Sequence, residues 1–270
     1  RLFFRKVFKK KKSIIVYADI EKEKNLLIYD AINNLLIENN ILAPKLYTEN
    51  YKRDFIEIED FGDDTLFNIL KKKKINKENL FKKSIELLIK IQKIKKNKVK
   101  NFKGKYYKIP NYSNKILFDE VKLFCNWYVP SILPKKKRLS FNIMIKKQIR
   151  FLLKKIKLNN QIFVHRDFHV SNLMRYKNKI AVIDSQDALI GNIAYDLASL
   201  IDDVRFKTTL KFKNKIYKYY LKLNKKIFIN KDFQNDFEIL SVLRNLKIIG
   251  IFTRLAIRDK KKRYSKLIPY

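Results

Sequence analysis

Asp167, Asn172 and Asp184 are the residues whose types and spacing point most directly to chemistry. Asp167 ends the triplet His165-Arg166-Asp167, Asn172 follows five positions on, and Asp184 closes the apolar run Ile180-Ala181-Val182-Ile183. Moving a γ-phosphoryl group from ATP to an alcohol needs the acceptor hydroxyl held in line and a metal that neutralises the phosphate oxygens. Asp167 suits the first task, as the group that holds and deprotonates the hydroxyl. Asn172 offers a neutral oxygen and Asp184 an anionic one, which suits Mg²⁺, a hard cation that keeps several waters and takes one or two protein carboxylates.

Each fragment is weak by itself, since a lone His-Arg-Asp arises by chance and an Asp after an apolar run is commonly a strand-to-turn residue. The combination is more particular. Phe163-Val164 reads as a buried strand, the Asp and Asn sit on the loop after it, Lys177-Asn178-Lys179 reads as a hairpin, and a second buried strand ends at Asp184. His-Arg-Asp-x4-Asn with those flanks matches the kinase catalytic-loop pattern.

The elements that must position this loop follow from periodicity. Residues 2–8 and 13–18 are β-rich runs around Lys9-Lys10-Lys11-Lys12, residues 25–39 carry a helical rhythm, and residues 55–59 form a further strand. Glu59-Asp60-Phe61-Gly62-Asp63-Asp64-Thr65-Leu66 then reads as a hinge, or simply as a strand, a glycine turn and a helix cap. From Leu66 the chain is expected to be helical: 78–94, 116–128, 141–156, a helix near Ala194, and 237–258 are amphipathic. The expected fold class is α+β and bilobal, protein-kinase-like, with a small mainly β N-terminal lobe at 1–60 that binds nucleotide and a large mainly α C-terminal lobe at 61–270 that carries the catalytic loop and acceptor site.

Asp196, in the first turn of the helix near Ala194, reads either as a support for the catalytic loop or as an acid complementing the helix dipole. Trp127 reads as core or as a face for stacking on a sugar ring. The basic residues Arg244, Lys247, Arg254 and Arg258 read as a solvated face or, for one or two, as contacts to sugar or phosphate.

Composition bounds the function. A chain of 270 residues that is 46% hydrophobic can bury a substantial core. The net charge of +37 ordinarily suggests nucleic acid or an anionic surface, but Lys, Ile and Asn are abundant throughout and Gly numbers only 4. That is the compositional bias of an AT-rich genome, and no specific nucleic-acid binding is expected. Lysine runs at 9–12, 71–74 and 260–262 read as solvated loops and helix ends. One cysteine, Cys125, excludes an internal disulfide. No signal peptide and no apolar run of membrane-spanning length are found, so a cytoplasmic monomer is expected.

The residues at 55–63, Phe124-Cys125-Asn126-Trp127-Tyr128, 164–204 and 245–259 resemble the aminoglycoside phosphotransferase and choline kinase-like superfamily, and within it the cell-wall sugar kinases. The block from Ile183 through Ser185-Gln186-Asp187-Ala188-Leu189-Ile190-Gly191 to Tyr195-Asp196-Leu197-Ala198-Ser199-Leu200 is the most particular to those sugar kinases. The resemblance implies an ATP- and Mg²⁺-dependent kinase of an amino sugar, acting at the anomeric hydroxyl of N-acetylmuramate or N-acetylglucosamine in peptidoglycan recycling. It implies Asp167 as catalytic base, Asn172 and Asp184 as metal ligands, and Glu59, Asp60 and Phe61 on the adenine side. Asp187, Trp127 and Arg244 are the candidates for contacting the sugar, with His165 and Asp196 as structural support. Kinases of the same fold for choline, ethanolamine or an aminoglycoside, and a non-catalytic nucleotide-binding protein, are the alternatives.

Two departures stand out. Ser185 replaces the aromatic usual after the metal-binding Asp, which questions the local packing. The phosphate-covering loop of that superfamily would lie before the strand at residues 2–8, ahead of Arg1, and no lysine within residues 14–18 is placed to hold phosphates, so Arg5 or Lys6 is the candidate substitute.

Overall fold

The computed structural model of the protein describes residues 2–18, 25–72, 75–224 and 230–268, so positions 73 and 74 of one lysine run fall outside the described residues. By contact the chain forms two compact units, residues 1–110 with 162–190, and residues 111–161 with 191–270. The division at residue 60 marks where the sequence changes periodicity; the compact units group differently. The stretch from 162 to 190 belongs with the first 110 residues, and within that unit the Phe67 amide donates to the Val170 carbonyl and the Arg175 amide to that of Asp64.

The first unit opens with β1 (Leu2–Phe8) and β2 (Lys11–Tyr17), joined by a turn in which Lys9 and Lys10 both take positive φ. Helix α1 (Asn25–Glu38) follows, then β3 (Leu46–Asn50) and β4 (Phe55–Glu59). The four strands form an antiparallel sheet in the order β1-β2-β4-β3. Val16, Ile56 and Ile58 point from the sheet onto Leu26 and Tyr29 of α1. Strand β1 is the sheet edge and stays exposed along its whole length.

Next come α2 (Leu66–Leu70), capped by Thr65, and α3 (Lys77–Gln92), capped by Asn76, each through a side-chain oxygen that accepts an otherwise unbonded first-turn amide. A small hairpin of β5 (Lys98–Lys100) and β6 (Tyr106–Lys108) follows. Then β7 (Ile162–Val164) leads to the hairpin of β8 (Leu173–Tyr176) and β9 (Lys179–Val182), and β10 (Leu189–Gly191) pairs back with β7. Lys177 and Asn178 occupy the two-residue turn with positive φ, the geometry that matches strand twist.

The second unit is helical. Helix α4 (Asn114–Leu123) runs on through a wider π turn at Phe124–Tyr128 into α5 (Val129–Ile132), and Pro134 precedes α6 (Lys135–Lys154). Then follow α7 (Ala194–Ile201), α8 (Leu210–Leu223) and the long α9 (Asn230–Ile257). Gly250 of α9 meets the backbone of the α4 end so closely that an added Cβ would lie 2.3 Å from the Leu123 carbonyl carbon. The buried Asp236 carboxylate accepts the Lys157 and Leu158 amides at 2.8 Å and the Asn192 side chain at 2.7 Å, tying α9 to the segment after α6. No helix among the described residues is long and apolar enough to cross a membrane.

Candidate active site

Within the first unit, a cavity of about 430 Å³ is lined by Arg5, Glu59, Asp60, Phe61, Asn172 and Asp184, among others. Six residues proposed from sequence for nucleotide or metal thus line one cavity. Ile14, Ile58, Met174 and Ile183 supply apolar surface beside them, the mixture of apolar walls and a few polar groups that suits a small ligand.

The stretch from β7 to Asp184 is held mainly through its backbone. After β7, His165 is fully buried, and burial pushes its imidazole below the usual range while the neighbouring Asp167 carboxylate opposes the shift. Arg166 takes a φ of 75°, so the chain reverses sharply before Asp167. The His169 amide then donates to the Asp167 carbonyl at 3.0 Å, and the Asn172 amide to the His169 carbonyl at 2.9 Å. Asn172 Nδ2 donates back to the Asp167 carbonyl at 3.1 Å, which orients the Asn172 side chain and leaves its oxygen as the outward group. One more bond, from the Ile183 amide to the Asn172 carbonyl at 3.0 Å, couples the strand end before Asp184 to the loop.

Asp184 sits at φ 62°, a left-handed conformation uncommon for any residue but glycine. Gln186 is buried and its amide nitrogen donates both to Asp184 Oδ1 at 3.0 Å and to Asp187 Oδ2 at 3.1 Å. Asp187 is half exposed and faces the Arg166 guanidinium at 3.7 Å. Burial, and then the Asp187 charge, raises the Tyr107 hydroxyl above its usual range. Among the described residues no three His, Cys, Asp or Glu side chains gather as a metal cage. An Asn oxygen and one carboxylate at the edge of a cavity are instead the sparse hard-oxygen set that Mg²⁺ accepts when phosphates and water complete its shell.

At the hinge, Gly62 takes φ 83° and its amide donates to Asp60 Oδ1 at 2.7 Å. Phe61 is buried against Tyr176, with ring centroids 4.7 Å apart. The Glu59 amide is committed to the Lys45 carbonyl. Arg5 reaches from β1 to Asp60 at 2.6 Å, Asp63 at 2.9 Å and the Gly62 carbonyl at 3.2 Å, and those two carboxylates, Asp63 first, hold its guanidinium firmly charged. Lys6 pairs with Glu57, whose carboxyl is lowered by the Ser13 hydroxyl and then by Lys6. Both candidate substitutes for a phosphate-binding lysine therefore spend their charge on carboxylates. Arg5 borders the cavity as a clasp on the hinge, and nothing in its bonding directs it to a phosphate.

Trp127, Arg244 and Asp196 belong to the second unit. Trp127 lies half-buried on the π turn, and Asp196 is buried in the first turn of α7. The basic residues of α9 do not form a solvated face throughout: Arg244 and Lys247 are buried, and Lys247 pairs with Glu120 at 2.9 Å. Glu120 also accepts the Tyr112 hydroxyl, and Tyr112 in turn accepts the Tyr195 hydroxyl at 2.9 Å. Sequence reasoning missed this network and the bridging position of Gln186. Gln186 alone left a signal, its place between two acidic residues.

The family model described as "Phosphotransferase enzyme family" matches residues 17–225. The N-acetylmuramate/N-acetylglucosamine kinase of Neisseria meningitidis serogroup B is 27% identical over 278 residues, covering 100% of this chain and 79% of that protein. The protein of that name from Pseudomonas putida is 26% identical, covering 95% and 74%. Among solved structures, an AMP-bound spectinomycin phosphotransferase superposes with a TM-score of 0.67 at 13% identity, over 99% of this chain and 86% of that one. A choline kinase from Streptococcus pneumoniae gives 0.63 at 13%, over 99% and 89%. These structural likenesses carry the fold, α+β and of the protein-kinase-like phosphotransferase type. With the family match extending over well more than half of its length, and with Asp167, Asn172 and Asp184 inside that match, the chain belongs to the phosphotransferase enzyme family.

Proposed function

We propose that the protein is an ATP-dependent kinase that phosphorylates the anomeric hydroxyl of N-acetylmuramate or N-acetylglucosamine. The observation that carries the kinase reading is the backbone coupling of Asp167, Asn172 and Asp184 beside a cavity of nucleotide size. The sugar reading is supported by relatives that bear that activity in their names and align over most of this chain. ATP consumption and a single cysteine fit a cytoplasmic, reducing compartment.

In this reading the adenine lies toward Glu59, Asp60 and Phe61, against the apolar wall. Asn172 and Asp184 hold Mg²⁺, which when bound neutralises charge on the phosphate oxygens. Asp167 accepts the proton of the attacking hydroxyl as the new O–P bond forms and the bond from the γ-phosphorus to the β–γ bridging oxygen breaks, releasing ADP. Gln186 keeps Asp187 beside the metal-binding turn, where an exposed carboxylate is available to a sugar hydroxyl. Positioning rather than covalent chemistry is the protein's main contribution, as expected for phosphoryl transfer. A chain carrying +37 tolerates the lactyl carboxylate of N-acetylmuramate and disfavours a cationic acceptor.

Phosphorus NMR of the product tests the proposal. Incubation with ATP, Mg²⁺ and a panel of amino sugars, choline and aminoglycosides is expected to give a phosphate coupled to the anomeric proton. A 6-phosphate, or transfer only to choline or aminoglycosides, would overturn the sugar assignment.

A further inference from the structure

The residue after Asp184 is a serine where the resemblance leads one to expect an aromatic, and the structure shows what it does there. Ser185 is fully buried, and its hydroxyl donates to Asn33 Oδ1 of α1 at 2.6 Å. Asn33, 1% exposed, uses its Nδ2 to donate to the Pro44 carbonyl at 3.2 Å. The polarity of this chain of bonds is fixed. A carbonyl can only accept, so the Asn33 nitrogen faces Pro44, its oxygen faces Ser185, and the serine must be the donor.

This tie lies directly behind the left-handed Asp184. A non-glycine residue keeps such a conformation only where its surroundings over-determine it. On the upstream side the Val182 amide donates to the Leu42 carbonyl at 2.8 Å and the Ile183 amide to the Asn172 carbonyl at 3.0 Å. On the downstream side Ser185 is the first anchor, and the Ala188 amide closes the turn on the Ser185 carbonyl at 3.1 Å. Pro44, at the far end of the tie, lines the same cavity as Asp184.

We infer that Asn33 and Ser185 are positioning residues, a buried hydrogen-bonded pair that fixes the turn so that the Asp184 carboxylate is presented to Mg²⁺. The pair does with two directed bonds what an aromatic ring would do by packing, and it couples the metal-binding turn to α1 and to residues 41–44. This inference rests on the proposed metal role of Asp184.

Calorimetric titration with ADP, with and without Mg²⁺, separates the metal-dependent part of nucleotide affinity from the rest. Ser185→Ala and Asn33→Ala are each expected to weaken that part by about tenfold or more, the usual effect of losing a group that orients a metal ligand. Metal-free ADP affinity should stay as it is, Ser185→Thr should retain the parent behaviour, and the double variant should lose no more than either single one. A lowered melting temperature with metal-dependent affinity unchanged would overturn the inference, leaving only a packing role. If Ser185→Ala fails to fold, Ser185→Cys, of similar volume but a weak donor, carries the same reading. Asp184→Ala distinguishes the two levels: if it leaves Mg-ADP affinity intact, the metal assignment itself fails, whereas sensitivity at Asp184 without sensitivity at Ser185 and Asn33 sinks only the positioning pair.

Discussion

A base that takes its proton only as a bond forms adds nothing to the resting complex, so its loss should appear in turnover and not in nucleotide binding. Asp167→Asn keeps the shape of the side chain and is expected to lower kcat by roughly 10²–10⁴-fold while Mg-nucleotide affinity stays at the parent value. Turnover equal to the parent would remove Asp167 from the mechanism. Asp167, Asn172 and Asp184 could be proposed from sequence because the proposal rests on type and spacing within a short stretch, and the structure brings Asn172 and Asp184 to one cavity. Asn33 could not be read that way. Its partner Ser185 lies 152 positions away, and neither residue carries a local mark of the other.

Elements with one apolar face announced themselves: β4 spans the residues expected, and α1, α3 and α7 lie within a few residues of expectation. Strand β3 was missed because its side chains are mostly exposed, which leaves no alternation to read. The expected single helix over 116–128 is instead α4 with a π turn at its end, and Gly250 packs directly against that junction. In an open helix Gly→Ala would stabilise by up to about 1 kcal/mol. At 250 the new methyl would meet rigid backbone, so Gly250→Ala is expected to destabilise by about 1–3 kcal/mol, read as a lower urea midpoint. A midpoint that rises would show that the helices yield.

The Tyr112 network gives a second test on this scale. Burial, reinforced by Tyr195 and Glu120, holds the Tyr112 hydroxyl well above its usual range. An unfolded tyrosine ionises near pH ~10. Above that pH the unfolded chain releases a proton that the folded chain keeps, so stability falls as pH rises. Tyr112→Phe should cost stability at neutral pH, because Glu120 and Tyr195 each lose a hydrogen-bond partner, yet make the alkaline decline shallower. Parallel declines in denaturant midpoint for variant and parent would show that Tyr112 does not contribute to it.

For the molecule as a whole, the charge of +37 and the uncovered first strand act against each other. Leu2, Phe3, Phe4, Val7 and Phe8 are each more than half exposed on the sheet edge, where the outer backbone groups of β1 pair with no strand among the described residues. Arg5 and Lys6, the cations of that strand, are already compensated by Asp60, Asp63 and Glu57. Local charge therefore guards this edge poorly, and mutual repulsion between whole molecules must do it. That repulsion reaches about 30 Å at 0.01 M salt but only about 3 Å at 1 M. Colloidal behaviour should invert the usual salting-in of a basic protein: light scattering is expected to report dispersed particles at low ionic strength and growing association as salt is added. Phe8→Lys, placed on the edge strand and outside the cavity lining, should delay that onset, and an onset that does not move would clear β1 of the association.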